Sequence, residues 1–238
     1  MRPGVPTVLF FFLLLGSCST IRESPKYEFK DGTYRSGIAG NGVQKVYVEY
    51  EEEEIKVYRL KKAGSGYLPD TLDHKPLSFS KTTPHSIRAK PSFTQTSFDI
   101  DFLTLPFKYR FPEAGFPRQF NASLNGGVYV GYRSDIFMLQ YSANSLGVSS
   151  RHTTHLGFSF GGFTGIGGTP MNPWVTNDRI AIEYDGVVLT KGIAGIIGLN
   201  NLTAGLAVGW DNLLDRNKKH WIYQGKPWIG FVFGMNLN

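Results

Sequence analysis

Phe120-Asn121-Ala122-Ser123-Leu124-Asn125-Gly126-Gly127-Val128-Tyr129-Val130-Gly131-Tyr132-Arg133 decides how this 238-residue chain is read. Successive side chains of a strand point to opposite faces. One face then carries Phe120, Ala122, Leu124, Gly126, Val128, Val130 and Tyr132, and the other Asn121, Ser123, Asn125, Gly127, Tyr129, Gly131 and Arg133. No charge falls between Phe120 and Tyr132. A soluble surface carries about 25–35% charged residues, so an uncharged, small polar face suits a narrow interior and the bulky face suits hydrocarbon. Thirteen residues at roughly 3.3 Å each, tilted near 45°, rise about 30 Å, enough for an apolar band of about 25 Å.

The same period returns downstream. Leu156, Phe158 and Phe160 alternate with Gly157, Ser159 and Gly161; Ile229, Phe231, Phe233, Met235 and Leu237 alternate with Gly230, Val232, Gly234 and Asn236. Turn residues punctuate the region at 112–117, 142–150, 167–178, 200–201 and 211–224, and Asp185-Gly186 between Ile182-Glu183-Tyr184 and Val187-Val188-Leu189 reads as a two-residue hairpin. With the long segment divided near Arg133, the count is about eight strands. Residues 98–238 are therefore expected to be all-β, an antiparallel up-and-down barrel. Tyr109, Tyr132, Trp174, Trp210, Trp221, Tyr223 and Trp228 are expected at its interfacial rims. Gly161 to Gly168 lacks the Lys-Ser or Lys-Thr of a phosphate loop and reads as strand curvature.

Upstream the solvent changes. Residues 19–97 hold 23 charged residues in 79, and residues 98–238 hold 20 in 141, while 20 of the 28 glycines lie at or beyond Gly115. Lys45 to Tyr50 and Ile55 to Leu60 alternate as short strands joined by Glu51 to Glu54, so residues 18–62 form a tether and a small β-hairpin. Four adjacent carboxylates read as a solvated turn, since a linear run lacks the convergence of a calcium site. Residues 63–97 carry Pro69, Pro76, Pro84 and Pro91 among eleven Ser or Thr and read as an extended linker or surface-hugging strap.

Composition removes several classes of function. The net charge of +6 is spread thinly, with no stripe and no binding module, so nucleic acid is not an expected partner. A single Cys excludes a disulfide scaffold and any multi-cysteine metal site. His152 and His155, three apart on a strand, would face opposite ways and share no metal. No cofactor and no catalytic residue is assigned. His152, His155 and Ser159 with Asp178 or Glu183 could form a hydrolytic constellation, but their spacing does not demand one.

The first residues address the chain. Met1-Arg2 precedes an apolar run from Val5 to Leu15, too short to span a bilayer as a helix, and small residues follow. Leu15-Gly16-Ser17-Cys18 resembles the lipobox of bacterial lipoproteins. That resemblance implies a signal peptide over residues 1–17 and acylation of Cys18, which becomes the mature amino terminus. Two or three chains anchor firmly where one holds marginally. Ser19, in place of Asp, points to the outer membrane. Residues 98–238 likewise resemble a small outer-membrane β-barrel of the eight-stranded type, which implies the outer-membrane assembly machinery as a partner. Such barrels commonly finish on an aromatic residue, whereas this chain finishes Leu237-Asn238.

The expected function is that of an outer-membrane lipoprotein with a structural or interaction role in the cell envelope. It would meet membrane lipids through acylated Cys18 and the barrel exterior. The alternatives are a lipid-tethered soluble β-barrel or sandwich that cups an apolar small molecule, and an envelope lipid-modifying enzyme.

Overall fold

A computed structural model describes residues 28–38, 42–64, 66–83, 90–143, 145, 147–200 and 202–235. Its strands are β1 (Gly32–Ser36), β2 (Gln44–Tyr50), β3 (Glu54–Ala63), β4 (Gly66–Pro69), β5 (Leu77–Ser80), β6 (Thr82–Thr83), β7 (Ser92–Arg110), β8 (Gln119–Asn121), β9 (Asn125–Ala143), β10 (Ser149–Met171), β11 (Tyr184–Leu199), β12 (Leu202–Leu213) and β13 (Pro227–Met235). Two single 3₁₀ turns, Trp174–Thr176 and Arg216–Lys219, complete the regular structure among the described residues. All pairings are antiparallel.

The order β7-β9-β10-β11-β12-β13 returns to β7, so six strands close into a ring. The expected all-β, antiparallel up-and-down arrangement is present. Two turn assignments fail, and they explain why the ring has six members where about eight were counted. β9 runs unbroken through Arg133 to Ala143. Asp185-Gly186 lies inside β11, paired with Pro170 and Thr169, and is no hairpin. Gly186 is needed there for space, because a Cβ would crowd Leu213 and Met171. The chain reverses instead between Met171 and Tyr184, where Asn177 and Asp178 take left-handed backbone.

The deciding segment keeps its faces but not its continuity. β8 and β9 occupy one lane beside β7, interrupted at residues 122–124. β7 pairs Thr104 with Gly126 and then Lys108 with Asn121, a one-residue slip. Pro106 sits inside the slip, where its missing N–H costs no ladder bond.

β1, β2 and β3 extend the sheet from β7 through the Arg35–Thr94 pair and enclose a separate core of Phe29, Tyr34, Val46, Val48, Ile55 and Val57 against Phe93, Phe137 and Leu139. The β2–β3 hairpin turns at Glu51–Glu54, as its alternation predicts. Within the expected linker, β4 and β5 pair with β3 and β6 pairs with β10, and residues 92–97 already belong to β7, which starts earlier than the linker reading allowed. Lys81 ties the strap to Glu52 (2.6 Å) and Glu53 (3.2 Å).

Candidate functional site

The outer wall of the ring has an unusual chemistry. Gly126, Val128, Val130 and Tyr132 of β9 point outward, as do Leu156, Phe158 and Phe160 of β10. Ile193, Ile197 and Leu199 of β11, Leu202, Leu206, Val208 and Trp210 of β12, and Ile229, Phe231 and Phe233 of β13 continue the wall. β7 closes it with Phe98, Ile100, Phe102 and Phe107. Phe102 is 81% exposed and Leu202 76%. Single exposed apolar residues are ordinary on soluble proteins, but a wall occupying every strand of a closed ring is not. Lys191 is the single charge on the outward face of β11 between Val187 and Leu199.

The wall is close-set because the ring is narrow. Eight strands leave an interior that side chains just fill, so six demand close backbone approach. Gly161 pairs with Gly131, Gly165 with Gly127, and Gly192 with Gly209. At each of these inward positions a Cβ would overlap a neighbouring strand or an inward ring. Outward-facing Gly162 differs: its Cβ would meet nothing nearer than Gly192 O at 3.6 Å.

The lumen holds the charge that the wall lacks. Near the end bearing the long connections, Lys108 Nζ donates to Asp211 Oδ1 (2.8 Å) and Asn125 Oδ1 (2.9 Å). Arg110 donates to Asp211 Oδ2 (2.6 Å) and Thr169 Oγ1 (2.9 Å), and Trp228 Nε1 donates to Asp211 Oδ1 (2.9 Å). Lys108 lies 4.5 Å above the Trp228 ring, and Arg110 about 5 Å from Trp221 and Tyr223. These groups are almost wholly buried, so their mutual satisfaction is what makes the burial tolerable. Three of the seven expected rim aromatics, Trp221, Tyr223 and Trp228, are therefore interior partners of cations. Trp174, Trp210 and Tyr132 are exposed as expected.

Beyond a middle layer of Leu103, Leu105, Phe163 and Val232 comes a second polar layer. Ser159 Oγ donates to Asp99 Oδ2 (3.0 Å) and bonds the Tyr129 hydroxyl (2.8 Å). Arg133 Nε donates to Asp135 (2.8 Å), whose Oδ1 also meets His155 Nε2 (2.6 Å).

This geometry sorts the histidine and serine candidates. His152 is exposed and His155 buried, on opposite faces of β10. His155 and Ser159 share the inner face but lie four residues apart, about 13 Å along a strand, and each is bonded to a different carboxylate. Asp178 and Glu183 belong to the connection at the other end of β10. The proposed hydrolytic constellation is not assembled. Among the described residues no three His, Cys, Asp or Glu gather as a metal site.

No protein-family model, curated protein or solved structure matches the chain.

The lumenal charges escaped the sequence reading because their partners are remote: Lys108 and Asp211 are 103 residues apart. The one available signal was phase. Lys108, Arg110 and Asp211 each fall on the inward alternation of strands whose outward residues are apolar. Cys18 lies outside the described residues.

Proposed function

We propose that the chain is a β-barrel lipoprotein of the bacterial outer membrane, held by acylated Cys18 and by an embedded six-stranded ring, with a structural or interaction role in the envelope. The observation that carries this reading is the inversion of polarity: large apolar side chains face out on all six strands, while Lys108, Arg110, Asp211, Arg133 and Asp135 are buried within. Water would favour the reverse, and hydrocarbon favours this arrangement. β12, with 12 residues, and β13, with 9, suit the roughly 9–11 residues that a tilted spanning strand needs.

The connections at 111–118, 172–183 and 214–226 all leave one end, whereas β1–β6 lie at the other, where β9 ends at Ala143 and β10 begins at Ser149 and where β11 ends at Leu199 and β12 begins at Leu202. Outer-membrane barrels keep short turns on the periplasmic side and longer loops outside, so β1–β6 would face the periplasm. The filled lumen argues for support or contact rather than conduction, and the embedded ring implies entry through the outer-membrane assembly machinery.

Fractionation tests the reading. The membrane-bound protein should resist carbonate washing and migrate differently on gels before and after boiling, also when Cys18→Ala prevents acylation. Release of Cys18→Ala into the wash as a soluble monomer would refute the embedded ring. Palmitate label should be absent from Cys18→Ala, and label persisting there would refute the anchor.

A further inference from the structure

The outer wall is not uniformly apolar, and its one charge on β11 between Val187 and Leu199 lies at the mouth of a groove. Lys191 pairs with Thr164 of β10 and with Trp210 of β12, and its side chain is exposed. Beside it a furrow of about 580 Å³ runs over Gly162 between Val128, Val130 and Ile193. Glycine inside a strand weakens it, and at the inward Gly161, Gly165 and Gly192 the neighbouring backbone leaves no room for a Cβ. Gly162 has no such requirement, since a Cβ there would have room. Its effect is the furrow itself.

We infer that Lys191, Trp210 and the furrow over Gly162 form a binding site for a membrane lipid with an anionic phosphate headgroup. The inference rests on the ring being embedded. A lysine on a lipid-facing wall is unfavourable unless its ammonium reaches the interface or an anion. Lys191 stands beside Trp210, the kind of residue that marks an interface. A phosphodiester at the Lys191 ammonium neutralises the charge, the Trp210 indole flanks the headgroup, and one acyl chain lies along Gly162 toward Val130 and Ile193. Zwitterionic lipid fits the furrow equally well but brings its own cation to Lys191, so charge sets the preference.

The test uses the full chain reconstituted in vesicles of equimolar phosphatidylglycerol and phosphatidylcholine, extracted in mild detergent and weighed with its retained lipid by native mass spectrometry. Wild type should retain phosphatidylglycerol over phosphatidylcholine by about fivefold, the size of one lysine's attraction to anionic lipid. Lys191→Gln should bring the ratio to parity, Lys191→Arg should preserve it, and Gly162→Leu should lower retention of both lipids. Equal retention by wild type, or an unchanged ratio in Lys191→Gln, overturns the inference while leaving the embedded ring intact. Displacement of the lipid by excess inorganic phosphate would show that the furrow has no part and overturns it too. Failure of wild type to enter the vesicles defeats the embedded ring and this site together.

Discussion

Gly161 and Gly162 are neighbours in sequence and opposites in consequence. A Cβ at Gly161 would overlap the Val130 carbonyl and Gly131 Cα across the β9–β10 pair, while one at Gly162 would rest at 3.6 Å from Gly192 O. Gly161→Ala should therefore abolish the heat-modifiable folded form, and Gly162→Ala should retain it, both read on unboiled gels. Equal behaviour of the two would mean that β10 does not present these faces. Tyr34 gives a second single-residue expectation. It is buried in the core outside the ring, and burial pushes its phenol up to about 12 although its oxygen also accepts from the Lys30 backbone N–H at 3.4 Å. Because folding favours the neutral form, its contribution to stability is complete below the ordinary value of about 10 and is lost as pH rises through the folded value. Alkaline unfolding monitored beside tyrosinate absorbance should lose this step in Tyr34→Phe. The inward or outward sense of such residues was readable where alternation is clean, as at Leu156 to Gly161. Alternation says nothing of how near the next backbone lies, so the two glycines look alike until register is known.

β7 and β12 do not pair as neighbours, yet Asp211 joins them across the lumen by accepting from both Lys108 and Arg110. Asp211→Asn removes the carboxylate's charge and leaves two buried cations with a neutral amide. Breaking a buried pair in this way costs about 3–5 kcal/mol. Urea unfolding in detergent, followed by tryptophan fluorescence, should show a loss of that order. Lys108→Met alone should cost less, because Arg110 still meets the carboxylate. A loss under about 1 kcal/mol for Asp211→Asn, the worth of an exposed pair, would refute the closed lumen. Strand identity was easier to read than strand limits. Turn-forming residues at Pro112, Pro117 and Asn200 do mark reversals, but Asp185-Gly186 does not, because Gly186 serves packing against Leu213 and Met171. Long strands such as β9 and β10 hide their length for the same reason: glycine inside a coiled wall imitates glycine at a turn.

Across the complete ring, polarity distinguishes the embedded reading from a soluble one by opposite responses to one substitution. Leu206 sits near the middle of β12 and faces outward, 57% exposed. If the wall meets hydrocarbon, Leu206→Lys places an ammonium where a lipid-facing lysine costs about 2–4 kcal/mol near the midplane, against about 0–1 near an interface. Folding from urea into preformed vesicles should then fall by more than tenfold in equilibrium constant. Lys191→Leu removes an outward charge and should not impair insertion. If the wall meets water, the ordering reverses: Leu206→Lys breaks an exposed apolar patch and should improve solubility without detergent. The comparison is informative because neither substitution touches the lumen, where Asp211, Lys108 and Arg110 hold the ring together. Any difference between the two variants therefore reports on the medium outside the ring.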